Sequence, residues 1–231
     1  MQIGQPGGSE RKAKALIYGP SGQGKTYFVG TMNDDERTSP GLILDYEGGV
    51  SSLIGRQIDV VTIRDWQDYE EARVFLAKGG HKYKSVAIDS ISEAHVNALL
   101  SRLDERSRRE PDQLDQNDYG IALVKMRRLL RMFRDLPMHV FCTALAKEET
   151  DVREGLVKKP ALSGALADEV VGIFESVSYL AITDGENGPV RVLVLNNQPK
   201  IRAKTRVPLD VQPPTFLMEP TVTALLDVLG F

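Results

Sequence analysis

Short apolar runs recur along the chain and predict β-strands. The first five are continuous rather than strictly alternating, as is typical of strands that are covered on both faces of a sheet. The seven predicted strands span residues 13–18, 42–46, 58–63, 85–88, 139–144, 177–182 and 190–195. Between the first five of these runs, longer segments carry apolar residues at helical spacing, so the chain alternates between the two element types.

Three helices are predicted with identifiable ends. Asp65 caps a helix that ends at Gly79 and Gly80, a second helix starts at Ser92, and a third covers about 118–136, where Pro137 stops it. Strands that alternate with helices predict an α/β fold with a mostly parallel central sheet and helices on both faces.

The last third of the chain follows a different pattern. From 177 to 207 strand-like runs follow one another, separated by turn residues at 184–189, which predicts a C-terminal antiparallel extension of the sheet. Two polar, charge-dense segments, 104–117 and 147–163, are expected to be surface loops or helix ends. The whole chain, 1–231, is predicted to form a single domain with a flexible N-terminal segment at 1–12.

Composition narrows the class of protein. The 231 residues carry 29 Lys and Arg against 32 Asp and Glu, a formal charge of −3, so nucleic-acid binding would need a local basic patch. No apolar run approaches the roughly 20 residues of a membrane helix, and the polar first 13 residues do not resemble a secretory signal. The single cysteine, Cys142, and three unclustered histidines exclude a disulfide framework and a zinc site. A cytoplasmic location is expected.

A glycine-rich segment directly after the first predicted strand carries the strongest chemical signal. It reads GPSGQGKT and matches the phosphate-binding pattern G-x-x-x-x-G-K-[ST] between a strand and a helix. The glycines let backbone N–H groups wrap a phosphate, Lys25 is expected to reach the β- and γ-phosphates, and the Thr26 hydroxyl to bind Mg²⁺. The predicted nucleotide-binding residues are Gly19, Pro20, Ser21, Gly22, Gln23, Gly24, Lys25 and Thr26.

Two further strands end in carboxylates. Asp89 follows the run 85–88 and is expected to hold Mg²⁺ through water, the alternative being a turn or helix-cap residue. Asp45 and Glu47 end the run 42–46 and would share one side of an extended chain. A carboxylate there would orient and deprotonate the water that attacks the γ-phosphate. Glu47 is the first candidate and Asp45 the second, unless Asp45 only caps the turn at Gly48.

These residues resemble a known family. The glycine-rich loop, the Asp-Tyr-Glu-Gly-Gly segment at 45–49 and the Val-Ala-Ile-Asp-Ser segment at 86–90 together resemble the RecA-type ATPase core. The Gln-Asn-Asp-Tyr-Gly block at 116–120, the Arg-Asp-Leu-Pro block at 134–137 and the strand that follows are similar to the phage-encoded minimal RecA-core ATPases of the Sak-type annealing and recombination group, within the AAA-like phage proteins. The resemblance covers about 14–206.

The resemblance implies a RecA-like fold, ATP and Mg²⁺ as ligands, self-association, single-stranded DNA as partner and the host cytoplasm as location. It assigns Glu47 as the catalytic base. RecA relatives commonly carry a Gln sensor in the strand after the second acid. Thr143 takes that place here, and it is the sensor candidate against the nucleotide.

Basic residues alternate near the C-terminus, at Lys200, Arg202, Lys204 and Arg206. In a strand all four would project from one face, where charge would protect a sheet edge from pairing with another chain. The alternative is similar to a pattern of RecA proteins and hexameric helicases, in which a Lys and an Arg two apart reach the γ-phosphate of a neighbouring subunit. On that hypothesis Lys204 and Arg206 are catalytic in trans, and hydrolysis requires an oligomer.

Two other basic groups are weaker candidates for DNA contact. Arg127, Arg131 and Arg134 share the polar side of the third helix, which is also what a solvated face looks like. The segment with Arg153 and Lys158 lies where RecA-like proteins place a DNA-contacting loop, but it is rich in acidic residues and has no aromatic side chain for base stacking.

The function expected from the sequence is an Mg²⁺-dependent ATPase that assembles on single-stranded DNA and promotes annealing or strand exchange in phage recombination. One alternative is an ATP-gated DNA-binding assembly protein with negligible turnover. Another is a loader or motor ATPase that acts on a protein partner. A small-substrate kinase is disfavoured, because no Arg-rich segment suggests a lid.

Overall fold

The computed structural model describes residues 11–106, 114–151, 154–186 and 188–231. Its strands are β1 (Lys14–Gly19), β2 (Gly41–Asp45), β3 (Asp59–Thr62), β4 (Ser85–Asp89), β5 (His139–Asp151), β6 (Gly155–Pro160), β7 (Ser176–Gly185), β8 (Gly188–Val194), β9 (Lys204–Thr205) and β10 (Phe216–Met218). Its helices are α1 (Lys25–Gly30), α2 (Trp66–Lys78), α3 (Ile91–Arg106), α4 (Gln116–Arg134), α5 (Leu166–Ile173) and α6 (Val222–Leu229). Short 3₁₀ helices cover Thr31–Asp34 and Gly49–Leu53. Most of the predicted flexible segment 1–12 lies outside the described residues.

The central sheet has the strand order β10-β8-β7-β1-β5-β4-β2-β3. The strands from β3 across to β7 run parallel to their neighbours, whereas β8 and β10 are antiparallel. This arrangement confirms the predicted α/β class, with a mostly parallel central sheet and an antiparallel extension. Because parallel strands end at the same edge of a sheet, Gly19, Asp45 and Asp89 all lie at the carboxyl edge.

Helices cover both faces of the central strands, as the continuous apolar runs of β1, β2, β4 and β5 predict. The same prediction is wrong for β3, whose four residues are exposed because the strand lies at the edge of the sheet. In β1, Leu16 and Tyr18 face a core that contains apolar residues of α2, α3, α4 and α5. Ala15 and Ile17 face the opposite core, which is closed by α1 and α6. Side chains alternate across a strand, so these neighbours in β1 contribute to different cores.

The longest helix shows how local sequence sets its ends. Asp115 caps α4 by accepting a hydrogen bond from the Asp118 N–H, and the Asp118 side chain accepts one from the Asp115 N–H. The helix ends at Arg134, and Pro137 follows soon after. The predicted start at 118 is therefore late by two residues, because Asp118 belongs to the reciprocal capping pair in the first turn.

The segment 147–163, predicted to be a surface loop or helix end, is mostly a β-hairpin. β5 continues past the central sheet to Asp151 and pairs antiparallel with β6, with Lys147 opposite Lys159. A cross-strand ion pair stabilises the hairpin, since Lys159 lies 3.0 Å from Glu149, and Val157 is buried beside it. The other charge-dense segment, 104–117, begins in α3 and ends in α4. Its residues 107–113 lie outside the described residues.

The alternating basic residues do not form one strand. Lys200 has a positive φ of 68°, and the chain turns there so that Ile201 pairs beside Lys158 of β6. Only Lys204 and Thr205 pair with β7. The prediction that four cations share one strand face is therefore wrong, because the turn at Lys200 interrupts the extended chain.

Among the described residues, no helix has both the length and the apolar character that crossing a bilayer requires.

Candidate nucleotide-binding site

The glycine-rich loop lies between β1 and α1, as the motif predicts. Gly22 and Gly24 have positive φ values of 78° and 90°, a region that side-chain-bearing residues rarely adopt. Gly24 stands at the start of α1, where its carbonyl accepts a hydrogen bond from the Phe28 N–H at 2.8 Å. The glycines are thus required by the backbone path that turns the strand into the helix.

Lys25 lies folded against the beginning of its own loop. Its Nζ donates hydrogen bonds to the carbonyl oxygens of Gly19 at 3.0 Å and Pro20 at 2.8 Å, and the side chain is buried. Burial lowers the pKa of the Lys25 ammonium, while the nearby carboxylates of Glu47 and Asp89 act in the opposite direction. The cation is therefore placed where the motif predicts phosphate oxygens.

Asp89 joins the loop to the centre of the sheet. One of its carboxylate oxygens accepts a hydrogen bond from the Thr26 hydroxyl at 2.6 Å, and the other accepts one from the Thr143 hydroxyl. Burial raises the pKa of the Asp89 carboxyl, and the two hydroxyl hydrogen bonds oppose that shift. The structure thus brings together Thr26 and Asp89, the two residues predicted to hold Mg²⁺. Thr143, predicted as a sensor, contacts this acid.

The two acids after β2 have different surroundings. Asp45 is buried, and its carboxylate accepts a hydrogen bond from the Gly48 N–H at 3.1 Å. Burial raises the pKa of Asp45. Glu47 is exposed, and its Oε1 accepts a hydrogen bond from the Ser90 hydroxyl at 2.6 Å. The expectation that both acids project from one extended side is wrong, because β2 ends at Asp45 and the chain turns.

Glu47 nevertheless lies close to the other predicted site residues. Its hydrogen-bond partner, Ser90, directly follows Asp89 in the chain. The turn after Glu47 approaches Thr26, since a Cβ added to Gly49 would lie 3.5 Å from the Thr26 Oγ1. Of the two candidates for the base, Glu47 has an accessible carboxylate, and Asp45 holds the turn.

The oxygen atoms around Thr26 fit a magnesium ion that also binds phosphate. A threonine hydroxyl and a carboxylate supply the oxygen ligands that Mg²⁺ prefers, and Mg²⁺ commonly takes one or two protein ligands with the rest from phosphates and water. Within the described part of the chain, no group of three or more His, Cys, Asp or Glu side chains is arranged to hold a metal by itself. The donor set therefore suits a nucleotide-bound ion.

Two residues next to the loop were missed by the sequence reasoning. Tyr27, which directly follows Thr26, is partly exposed, and the guanidinium group of Arg191 in β8 lies 5.1 Å from its ring centroid. Gln23 also contacts this side, because its side-chain oxygen accepts a hydrogen bond from the Ile182 N–H in β7. An aromatic residue directly after the motif was the available signal, whereas nothing in the sequence pairs position 191 with the loop.

Lys204 and Arg206 lie far from the loop of their own chain. Thr205 is opposite Ser176, which is opposite Ala15 at the start of β1. Four residues of strand, about 13 Å, separate that level from Gly19. The Lys204 Nζ donates a hydrogen bond to the Val171 carbonyl. The structure does not bring these cations to the loop within one chain, and their action in trans stays a prediction.

Several of the weaker candidates for DNA contact already interact with other side chains of the chain. Arg127 forms an ion pair with Glu169 at 2.5 Å, and Arg134 pairs with Asp135. Lys158 has its Nζ 5.4 Å from the Tyr179 ring centroid, and Arg153 lies outside the described residues. Arg202 is held by Asp151 and Glu154. These pairings reduce the positive charge available for a phosphate backbone.

Comparison with known proteins gives the family. The model of the AAA_24 family, described as an AAA domain, matches residues 11–207. The chain belongs to this family. As an AAA domain with a phosphate-binding loop, it is a P-loop NTPase. This confirms the predicted class of nucleotide-binding protein.

Two solved structures are similar to this AAA domain. The first is a KaiC-like protein, PH0186, from the hyperthermophilic archaeon Pyrococcus horikoshii OT3, with 17% identity over 93% of this chain and 92% of that chain and a TM-score of 0.49. The second is the flagellar accessory protein FlaH from Methanocaldococcus jannaschii, with 10% identity over 93% of each chain and a TM-score of 0.46. No curated protein matches the chain.

Proposed function

We propose that this AAA domain binds ATP with Mg²⁺ at residues 19–26 and hydrolyses it. The observation that carries the proposal is the 2.6 Å hydrogen bond between Thr26 and Asp89, with Lys25 bonded to the carbonyls of the loop. A hydroxyl, a carboxylate and an ammonium that come from the loop and from a neighbouring strand thus meet at one point. That combination suits the charged end of a nucleoside triphosphate and its metal.

Each residue then has a defined role in the chemistry. Lys25 exchanges its loop carbonyls for phosphate oxygens and balances their charge. Thr26 and Asp89 hold Mg²⁺, which when bound neutralises charge on the phosphates. Glu47, oriented by Ser90, positions the attacking water and accepts its proton, because its carboxylate is the accessible one beside Thr26.

We further propose that the protein self-associates on single-stranded DNA and promotes annealing or strand exchange in phage recombination. The DNA partner and the phage context are supported by the sequence resemblance. The self-association is supported by the position of Lys204 and Arg206, which can serve a phosphate-binding loop only in a neighbouring copy. Sharing of sites between copies would link ATP hydrolysis to assembly.

The deciding experiment is ATP hydrolysis by the purified protein at fixed low salt, with and without single-stranded DNA. Lys25→Ala is the blank. Glu47→Gln is expected to lower kcat by about 10²- to 10⁴-fold, the usual worth of a general base. The exposed Glu36→Gln serves as the matched control and should leave kcat unchanged.

The outcomes separate the candidate functions. Hydrolysis that DNA stimulates, and that rises steeply with protein concentration, supports the whole proposal. Robust hydrolysis that DNA does not change contradicts the DNA role and favours a loader or motor that acts on a protein. ATP-dependent DNA binding without turnover, unaffected by Glu47→Gln, contradicts the enzyme and favours an ATP-gated binding protein.

A further inference from the structure

An exposed aromatic ring lies immediately beyond the phosphate-binding loop. Tyr27 follows Thr26 in α1, and 37% of its surface is exposed. Two guanidinium groups lie over its ring, Arg56 at 5.0 Å and Arg191 at 5.1 Å from the ring centroid. Cations at such distances are attracted by the electrons of the ring face. Three chain segments that are distant in sequence therefore meet at one rim of the loop.

The two arginines differ in their other contacts. Arg56 is held by Asp34, with 2.6 Å between its Nη1 and a carboxylate oxygen. The Nε of Arg191 is buried and has no hydrogen-bond partner among the described residues. A buried donor without a partner costs free energy, so the Arg191 side chain is held less firmly than that of Arg56.

Arg191 also lies against the loop itself. A Cβ added to Gly24 would lie 2.6 Å from the Arg191 Nε, so the guanidinium group is in contact with the last glycine of the motif. The backbone of Arg191 is fixed on both sides by Glu219, which accepts a hydrogen bond from the Arg191 N–H at 3.2 Å and donates one to its carbonyl at 2.8 Å. The strand therefore fixes the backbone from which this side chain reaches the loop.

We infer that Tyr27 and Arg191 form the subsite for the nucleobase. The inference rests on the proposed function, because it assumes that the triphosphate occupies residues 19–26. The ribose and base must then lie outside the loop, and Tyr27 is the exposed ring at its rim. Bases stack on aromatic rings and on guanidinium planes, and Tyr27 and Arg191 supply one of each beside the loop.

The test compares ligands with and without a base. Binding of ATP and of inorganic tripolyphosphate, both with Mg²⁺, is measured by calorimetry. In Tyr27→Leu we expect ATP affinity to fall about 10-fold or more, because stacking of a base on an aromatic ring contributes at least about that factor to affinity. Tripolyphosphate affinity should stay within about twofold. Tyr27→Phe keeps the ring and should keep ATP affinity. Arg191→Gln should weaken ATP in the same selective way.

A control and a set of contrary results make the test decisive. Tyr119→Leu removes a tyrosine of similar exposure, 44%, from α4 and should change neither affinity. Equal losses for ATP and tripolyphosphate in Tyr27→Leu, or no loss for ATP, would overturn the base subsite. Wild-type protein that binds tripolyphosphate as tightly as ATP would overturn it while leaving the phosphate site intact. Wild-type protein that binds neither ligand would overturn the proposed function itself.

Discussion

At the scale of single residues, two opposing effects act on the buried carboxyl of Asp89: burial disfavours its charged form, and hydrogen bonds favour it. Its two oxygens are satisfied by Thr26 and Thr143, yet burial still raises its pKa. A carboxyl whose pKa is raised by folding keeps its proton to higher pH in the folded chain than in the unfolded chain. The free energy of unfolding therefore falls as pH rises from the ordinary pKa through the raised one.

We predict that Asp89→Asn stabilises the protein in the absence of nucleotide at pH 7.5. The amide removes the buried charge and keeps the shape. A gain of about 1 kcal/mol would raise Tm by about 2–4 °C in a domain of this size, and the gain should shrink as pH approaches 4. Thermal unfolding followed by circular dichroism from pH 4 to 8 measures both effects.

The control for this prediction is Asp184→Asn, an exposed carboxyl in β7, which should leave Tm and its pH dependence as they are. Asp45, whose pKa burial also raises, keeps part of the slope in both variants. An unchanged or lower Tm for Asp89→Asn at pH 7.5 would mean that the charged form of Asp89 is not destabilising. In that case the two threonine hydroxyls offset its burial completely.

The residues of the candidate site were predictable to different degrees. Lys25, Thr26 and Asp89 follow from a motif and from a strand that ends in an acid, so local sequence was enough. The contrast between Asp45 and Glu47 was not predictable, because it depends on the residue at which β2 stops. Arg191 was hidden for another reason, since its contact with Gly24 exists only because β8 pairs with β7, which pairs with β1.

At the scale of elements, the close approach of β1 and β7 sets the position of the loop. A Cβ added to Gly19 would lie 2.2 Å from the Leu180 carbonyl oxygen, a backbone atom that cannot move away by rotation. Gly19 is both the last residue of β1 and the first of the motif. Its lack of a side chain therefore serves the packing of the sheet as well as the loop.

We predict that Gly19→Ala lowers the free energy of unfolding by about 1–3 kcal/mol or more, the usual cost of forcing an extra group into packed structure. Gly120→Ala offers the matched control. Gly120 is exposed inside α4 with open space at its Cβ position, so alanine there should stabilise the protein by about 0.4–1 kcal/mol. Urea unfolding measures the change in the free energy of unfolding for both variants, which should be opposite in sign. No change for Gly19→Ala would show that β1 and β7 can move apart without loss of stability.

The elements themselves were predicted well where apolar patterning was strong. The seven predicted strands and the three predicted helices are present, with ends that differ by a few residues in most cases. The hairpin of β5 and β6 was missed because most of its residues, such as Lys159 and Glu149, are charged or polar, so its composition resembles a loop. The segment 200–206 failed in the opposite way, since its alternation is regular but Lys200 turns the chain.

At the scale of the whole molecule, the sheet places the phosphate-binding loop and two candidate catalytic cations at opposite edges. The phosphate-binding loop lies at the carboxyl edge, and Lys204 and Arg206 lie beside the start of β7. A single copy cannot join them, whereas copies arranged head to tail would present the cations of one to the loop of the next. Cations supplied in trans to a transferring phosphoryl group are worth about 10³- to 10⁵-fold in kcat.

Mixing of two defective variants tests this arrangement. Lys25→Ala has an inactive loop but intact cations, and the double variant Lys204→Ala with Arg206→Ala has the reverse. Each alone should have little activity. If sites are shared, an equal mixture should recover about a quarter of the wild-type activity per subunit, because half of the subunits have a working loop and half of those meet a neighbour with intact cations.

The size of the recovery separates sharing from simple stabilisation. Lys200→Ala, an exposed cation in the same segment, should be fully active alone and so shows that loss of charge near β9 is not enough. A mixture that stays inactive, while light scattering shows that the variants still associate, would contradict the trans role of Lys204 and Arg206. A double variant that is fully active alone would do the same, and the cations would then serve only to protect the edge of the sheet beside β7.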